Sequence, residues 1–147
     1  MPAAEEDRIR EVLRTAHTIA VVGLSDKPDR DSYHVAGYLQ RHGYRILPVN
    51  PSVQEVLGEK SYPTLHDVPE PVDLVDVFRR AEFVPEIVEA AIAVGAKAVW
   101  LQEGIVHAEA AERARAAGLV VVMDRCILKE HHKHSRGRTP PMTPRAV

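Results

Sequence analysis

Val21-Val22-Gly23-Leu24-Ser25-Asp26-Lys27-Pro28-Asp29-Arg30-Asp31-Ser32 joins an apolar strand to the start of a helix through a loop that carries Gly23, Lys27 and Arg30. A strand running into a helix aims free backbone N–H groups and the positive end of the helix dipole at one spot, where an anion can sit. Lys27 and Arg30 can add charge there, so the loop suits phosphate. The plainer alternative is an exposed turn with a proline and mixed charges.

The pattern repeats outward from this loop. Upstream, Ile9, Val12, Leu13 and Ala16 fall at helical spacing, which predicts an amphipathic helix meeting a first strand at Thr18 to Gly23. Downstream, Ser32 can cap a helix containing Val35 and Leu39, which stops at Gly43 and gives way to the strand Arg45 to Val49. Residues from Pro51 to Glu70 are less regular, with a short helix read at Val53 to Leu57. A third strand runs from Val72 to Phe78, its alternation interrupted by Asp73 and Asp76. Pro85 suits the first turn of a helix carrying Ile87, Val88, Ala91 and Ile92 and closed by Gly95. The strand Ala98 to Leu101, an alanine-rich helix from His107 to Ala117, the strand Leu119 to Met123 and a helix starting near Cys126 complete the series.

Five short apolar strands separated by helices are what parallel βαβ units demand. The expected fold is α/β, a three-layer Rossmann-like domain over residues 1–136. Its five-stranded parallel sheet has the order 3-2-1-4-5 along the chain, with helices on both faces. From Gly137 to Val147, Gly, Arg, Pro and Thr crowd together with little to bury, which reads as a disordered tail.

The chain has 147 residues, 45% hydrophobic and 27% charged, values of a single globular domain. A formal net charge of −2 removes the general electrostatic drive toward nucleic acid, so any basic site is local. No apolar run approaches the roughly 20 residues that span a bilayer. The single cysteine, Cys126, excludes an intrachain disulfide and agrees with a reducing, cytoplasmic setting.

In open parallel sheets the ligand crevice lies beyond the carboxyl ends of the strands. Those ends here are Gly23, Asn50-Pro51, Phe78-Arg79-Arg80, Gln102-Glu103-Gly104 and Asp124-Arg125-Cys126, all polar or conformationally special. A dinucleotide site needs G-x-G-x-x-G and an acidic residue about 20 positions later. Gly23 stands alone, and Pro48-Val49-Asn50-Pro51 offers no carboxylate, so a nicotinamide dinucleotide is disfavoured. A nucleotide with extra phosphate fits better: Lys27, Arg30, Arg79 and Arg80 supply charge, and Asn50 and Pro51 can border adenine or ribose.

Five segments carry a resemblance: Gly23 through Tyr33, Pro48 to Pro51, Val75-Asp76-Val77-Phe78-Arg79-Arg80, Trp100 through Ile105, and Met123 to Cys126. Together, in this order, they resemble the small stand-alone CoA-binding-domain proteins and, more distantly, the N-terminal CoA-binding domain of the succinyl-CoA synthetase alpha subunit. The resemblance implies coenzyme A, free or acylated, in the crevice. It places the loop residues Gly23, Leu24, Ser25, Lys27, Arg30 and Ser32, with Tyr33 beside them, near the phosphates. Asn50 and Pro51 fall near the adenosine, and Val77, Phe78, Arg79 and Arg80 with Gln102, Glu103, Gly104 and Ile105 along the pantetheine. The synthetase's glycine-rich first loop is replaced here by Leu24 to Arg30. The domain that bears the synthetase's phosphorylated histidine has no counterpart in these residues, so ligase activity is not expected.

Cys126, at a strand end and a helix start, could form a mixed disulfide with the CoA thiol, although packing is the commoner fate of a free cysteine. His131, His132 and His134 lack an evident third ligand at metal spacing and read as a solvated basic helix end, so no metal is expected. Trp100, between Val99 and Leu101, reads as core. The combined reading is a non-catalytic CoA-binding carrier, sensor or regulatory module without nucleic-acid or membrane partners. A small nucleotide-cofactor enzyme and an interaction protein that has lost its ligand are the alternatives.

Overall fold

Runs of Val, Ile, Leu and Ala, two faces of which must both be covered, form the centre of the computed structural model, which describes residues 2–135. The strands are β1 (Thr18–Val22), β2 (Arg45–Val49), β3 (Glu55–Val56), β4 (Glu59–Lys60), β5 (Leu74–Val77), β6 (Ala98–Leu101) and β7 (Val120–Met123). The helices are α1 (Pro2–Thr15), α2 (Asp31–Arg41), α3 (Val84–Ala93), α4 (Ala108–Ala116) and α5 (Ile127–Ser135). Among the described residues the main sheet is parallel and five-stranded, as expected, and β3 and β4 form a separate antiparallel hairpin.

Helices cover both faces. Side chains alternate across each strand, so Ile19, Val21, Leu74, Trp100 and Val122 pack with Ile9 and Leu13 of α1, Val35 and Leu39 of α2 and Ile127 of α5. Ala20, Val75, Val77, Val99 and Val121 face the other way, onto Val84, Ile87 and Val88 of α3 and Ala110 and Ala114 of α4. Trp100 is wholly buried, as its neighbours predict, and its indole N–H donates to the carbonyl of Arg125 at 2.8 Å.

The strand order along the sheet is β2-β1-β5-β6-β7. Counted over the five main strands this is 2-1-3-4-5, which corrects the expected 3-2-1-4-5 in its placement of the third strand. All four residues of β5 are 0% exposed and pair with β1 on one side and β6 on the other, as a central strand does. β2 takes the edge instead. Pro48 has no N–H to donate to an outer neighbour, and beyond β2 among the described residues stands the single bridge to Tyr62, whose N–H donates to the Pro48 carbonyl at 3.0 Å.

The helix expected at Val53 to Leu57 is replaced by the β3–β4 hairpin. Leu57 and Gly58 have φ of 55° and 77°, the paired positive values of a two-residue hairpin turn. Leucine in the left-handed region hid this turn, because the usual signature places Asn or Asp there. Its carbonyl is held by the Gln40 side-chain amide at 3.0 Å.

The interrupting aspartates behave differently from each other. Asp73 accepts the backbone N–H groups of His17 and Thr18 at 2.9 and 3.0 Å, tying the start of β5 to the start of β1. Asp76 is completely buried between Val21 and Trp100, and neither carboxylate oxygen has a hydrogen-bond partner among the described residues. Burial pushes its carboxyl well above the ordinary carboxylate range. Residues 137–147, expected as a tail, lie outside the described residues. No helix among those described is long and apolar enough to cross a membrane.

Candidate functional site

The chain leaves β1 toward α2 on one face and leaves β5 toward α3 on the other, so a crevice opens between the carboxyl ends of these adjacent strands. Gly23 and Phe78 stand at its floor. Gly23 has φ of +89°, and a Cβ on it would lie 2.5 Å from the Phe78 carbonyl oxygen, so only glycine allows the two loops to approach this closely. The Phe78 N–H donates to the Val22 carbonyl at 2.8 Å, extending the ladder to the rim.

Two clefts flank this point. The first, about 860 Å³, is lined by Phe78, Arg79, Arg80 and the run Gln102 to Ile105, together with the start of α2 and the first turn of α5. The second, about 700 Å³, lies over Gly23, Pro51, Thr64, Leu65 and the outer side of α3. Both volumes are in the range of small-molecule sites. Arg79 borders both clefts, and its guanidinium rests 4.2 Å over the Phe83 ring, which holds it at their common wall. Arg80 is mostly exposed, with a long 3.9 Å contact to Glu82 and its guanidinium 5.7 Å from the centre of the Phe83 ring.

The wall of the first cleft is built by hydrogen bonds that the segment Gln102 to Ile105 makes with α5 and its approach. Gln102 is buried, and its side-chain oxygen accepts the first N–H of α5 from Ile127 at 3.2 Å. Gly104 N–H donates to Asp124 at 2.7 Å, and Lys129 donates to Glu103 at 3.0 Å. Cys126 and Lys129 lie three positions apart and both line the cleft. Lys129, together with Asp31 and His34 at the start of α2, was not singled out from the sequence. The signal for Lys129 was its spacing from Cys126 across the first turn of a helix that begins at the rim.

The first loop differs in detail from its expected form. α2 begins at Asp31, so Ser32 lies inside the helix rather than before it, and the preceding Arg30 makes no side-chain cap. The Ser32 hydroxyl instead accepts the Ser25 N–H at 3.0 Å, and the Ser25 hydroxyl accepts the Lys27 N–H at 3.0 Å. Two of the loop's donors are therefore spent within it. The uncapped first turn of α2 keeps its own N–H groups at the edge of the first cleft, where Asp31 and His34 line it. Lys27 and Arg30 are exposed beside this helix start, outside the linings of both clefts.

Other expected site residues serve the scaffold. Leu24 and Val77 are fully buried in the two core layers, and Tyr33 packs partly buried against the α2 layer. Asn50 ties the second loop to the first by donating from Nδ2 to the Leu24 carbonyl at 3.0 Å. The C-terminal histidines correct the solvated-end reading. His131 is largely buried, its Nδ1 2.9 Å from the Tyr38 hydroxyl and its ring edge-on to Tyr38 and Tyr44. Burial above all, with His42 and His132 adding, pulls it down to about 4. The His134 side chain is 8% exposed. Only His132 of the three is exposed, because α5 packs on α1 and α2 over most of its girth.

Comparison with known proteins agrees with this geometry. A family model described as the CoA binding domain matches residues 17–132. The uncharacterized protein YneT of Bacillus subtilis is 43% identical over 123 residues, 84% of this chain and 91% of that protein. A solved structure of a hypothetical protein from Pyrococcus horikoshii superposes with a TM-score of 0.84 at 44% identity, covering 87% of this chain and 90% of that one. The alpha subunit of ADP-forming acetate–CoA ligase I from Pyrococcus furiosus is 33% identical over 95 residues, 60% of this chain but only 21% of the subunit.

Proposed function

The chain belongs to the CoA-binding domain family, and from that premise we propose that it holds coenzyme A or an acyl-CoA along the carboxyl edge of the sheet as a carrier or sensor, without turning it over. The observation that carries this reading is Arg79, fixed over Phe83 and shared by the two clefts. A long ligand with a phosphorylated nucleotide at one end and an amide chain at the other suits two clefts with a cation at their junction. The pyrophosphate would lie by Arg79 and the uncapped start of α2, where helix N–H groups and the dipole favour an anion. Gln102 to Ile105 then border the pantetheine, and Cys126 lies in the same cleft.

Binding without catalysis is supported by how the polar groups of the first cleft are employed. Gln102 caps α5, Glu103 pairs with Lys129, and Asp124 holds Gly104, so each is committed to the wall. The test is calorimetric titration of ligand-free protein with CoA, NADH and ATP in parallel. Micromolar or tighter binding of CoA, lost in Arg79→Ala, is the expected result. Binding of NADH with silence toward CoA would refute the reading, and slow consumption of an acyl-CoA by the protein would refute its non-catalytic part.

A further inference from the structure

Outside the linings of the two clefts, α1 and α5 bring three potential ligands together. Glu6, Glu130 and His134 each offer one ligand atom, and these atoms all lie within 4.8 Å of one another. His134 Nε2 is 3.1 Å from Glu6 Oε1 and 3.6 Å from Glu130 Oε1. Neither contact has hydrogen-bond geometry: the buried Nε2 and the buried Glu130 Oε1 are both without a hydrogen-bond partner among the described residues. The His134 side chain is 8% exposed and that of Glu130 12%, so water does not readily satisfy them. An unpartnered imidazole nitrogen and carboxylate oxygen aimed at one point in this way are costly unless something is placed between them.

We propose that Glu6, Glu130 and His134 form a binding site for a zinc-class divalent transition-metal ion that staples α1 to α5. With metal–ligand bonds of about 2.0–2.2 Å, the edge of a tetrahedron is about 3.3–3.6 Å; the 3.6 Å to Glu130 falls at its upper end and the 3.1 Å to Glu6 slightly below it. One imidazole with two carboxylates suits zinc and its first-row neighbours better than Mg²⁺ or Ca²⁺, which prefer all-oxygen shells. The surroundings orient the ligands as an outer shell does. Arg125 Nη1 sits 3.4 Å from Glu130 Oε2 and 3.6 Å from Glu6 Oε2, which leaves the Oε1 atoms to turn toward His134. A cleft of about 270 Å³ that reaches Glu130, among Glu5, Arg125 and the Cys126 and Lys129 wall of the first cleft, opens beside the site. Lys133 Nζ is the competitor, 3.1 Å from Glu6 Oε1, but its side chain is 53% exposed and free to swing out as the ion enters.

From the sequence, His131 and His134 could pair on one helix face but lacked a third ligand; in the structure His131 turns to Tyr38, and His134 is joined instead by Glu130, four positions before it, and by Glu6 of α1. The ion would fix α5, whose first turn carries the Cys126 and Lys129 wall of the first cleft.

The experiment is titration of the chelator-stripped full chain with zinc chloride, followed by calorimetry and thermal denaturation. One equivalent is expected to bind and raise Tm. His134→Gln and Glu130→Gln should each lose at least tenfold in affinity, and Cys126→Ser should lose none. Lys133→Met should bind more tightly, since a competing cation is gone. If the histidine variant folds poorly, cobalt(II) added to the wild type should give the visible absorption of a tetrahedral N/O site and broaden the His134 proton resonances. No saturable zinc binding, equal affinity in wild type and His134→Gln, Mg²⁺ binding as tight as zinc, or cobalt without effect on His134 would each overturn the proposal.

Discussion

Replacing Gly23 by alanine separates backbone conformation from close packing at the floor of the crevice. At φ of +89° an L-residue pays the left-handed penalty, ~1–2 kcal/mol. The new Cβ would also lie 2.5 Å from the Phe78 carbonyl oxygen and 3.1 Å from its carbon, both backbone atoms that cannot rotate away. β1 and β5 must part at the rim, an overpacking cost of ~1–3 kcal/mol, for a total of ~2–5 kcal/mol. Gly43→Ala is the control. It has φ of +95° with nothing within 4 Å of its Cβ, so it carries the conformational part alone, ~1–2 kcal/mol. Urea unfolding of both variants, with unchanged m-values, isolates the Phe78 contact as the difference, ~1–3 kcal/mol. CoA titration of the folded variants completes the test: Gly23→Ala displaces the loop that carries Arg79 and should lose binding, whereas Gly43→Ala should keep it. Equal destabilisation by the two substitutions would refute the reasoning, because the crevice floor would then not depend on a close approach.

Three further outcomes follow from the charged groups. His131 is pulled down to about 4 when folded, against about 6.5 unfolded. The unfolded chain therefore takes a proton the folded one refuses, and stability should fall by ~1–2 kcal/mol, the linkage value reduced for solvent screening of a half-buried ring, as pH drops from 6.5 toward 4; His131→Gln should flatten that limb in urea titrations run across this range. Asp76 has the opposite sign: its raised folded value keeps stability intact below the ordinary carboxylate range and erodes it as pH rises, so Asp76→Asn should gain ~1–3 kcal/mol at pH 8 relative to pH 4. A Cm difference between Asp76→Asn and wild type that does not change with pH would contradict it. Lys27→Ala with Arg30→Ala should weaken CoA about five- to tenfold, the ~1 kcal/mol of exposed charges, and leave Cm unchanged; a greater loss for CoA than for dephospho-CoA would assign the pair to the 3′-phosphate.

Much of the architecture was legible in short stretches. Leu119 to Met123 and Ala98 to Leu101 are apolar runs between helical segments, and Pro85 and Gly95 bracket α3 where their backbone restrictions place them. The rim was legible for the same reason. Once strands and helices are known, their carboxyl ends are known, and Phe78 to Arg80 and Gln102 to Ile105 do line one cleft. The β3–β4 hairpin was not, because Leu57 adopts a conformation its residue type disfavours and Gln40, far away in sequence, holds it.

The sequence by itself determined the strands of the main sheet and the helices between them, the α/β class and the family, since hydrophobic periodicity, helix stops and ordered motifs are written within a few residues of one another. Only the tertiary structure decided that β5 lies between β1 and β6, that Ser32 braces the loop instead of capping α2, and that Arg79 stands between two clefts. It also decided that Glu6 meets Glu130 and His134. Each of these depends on which surfaces exclude water together. That choice is made by the whole core at once, between residues whose separation along the chain carries no trace of it.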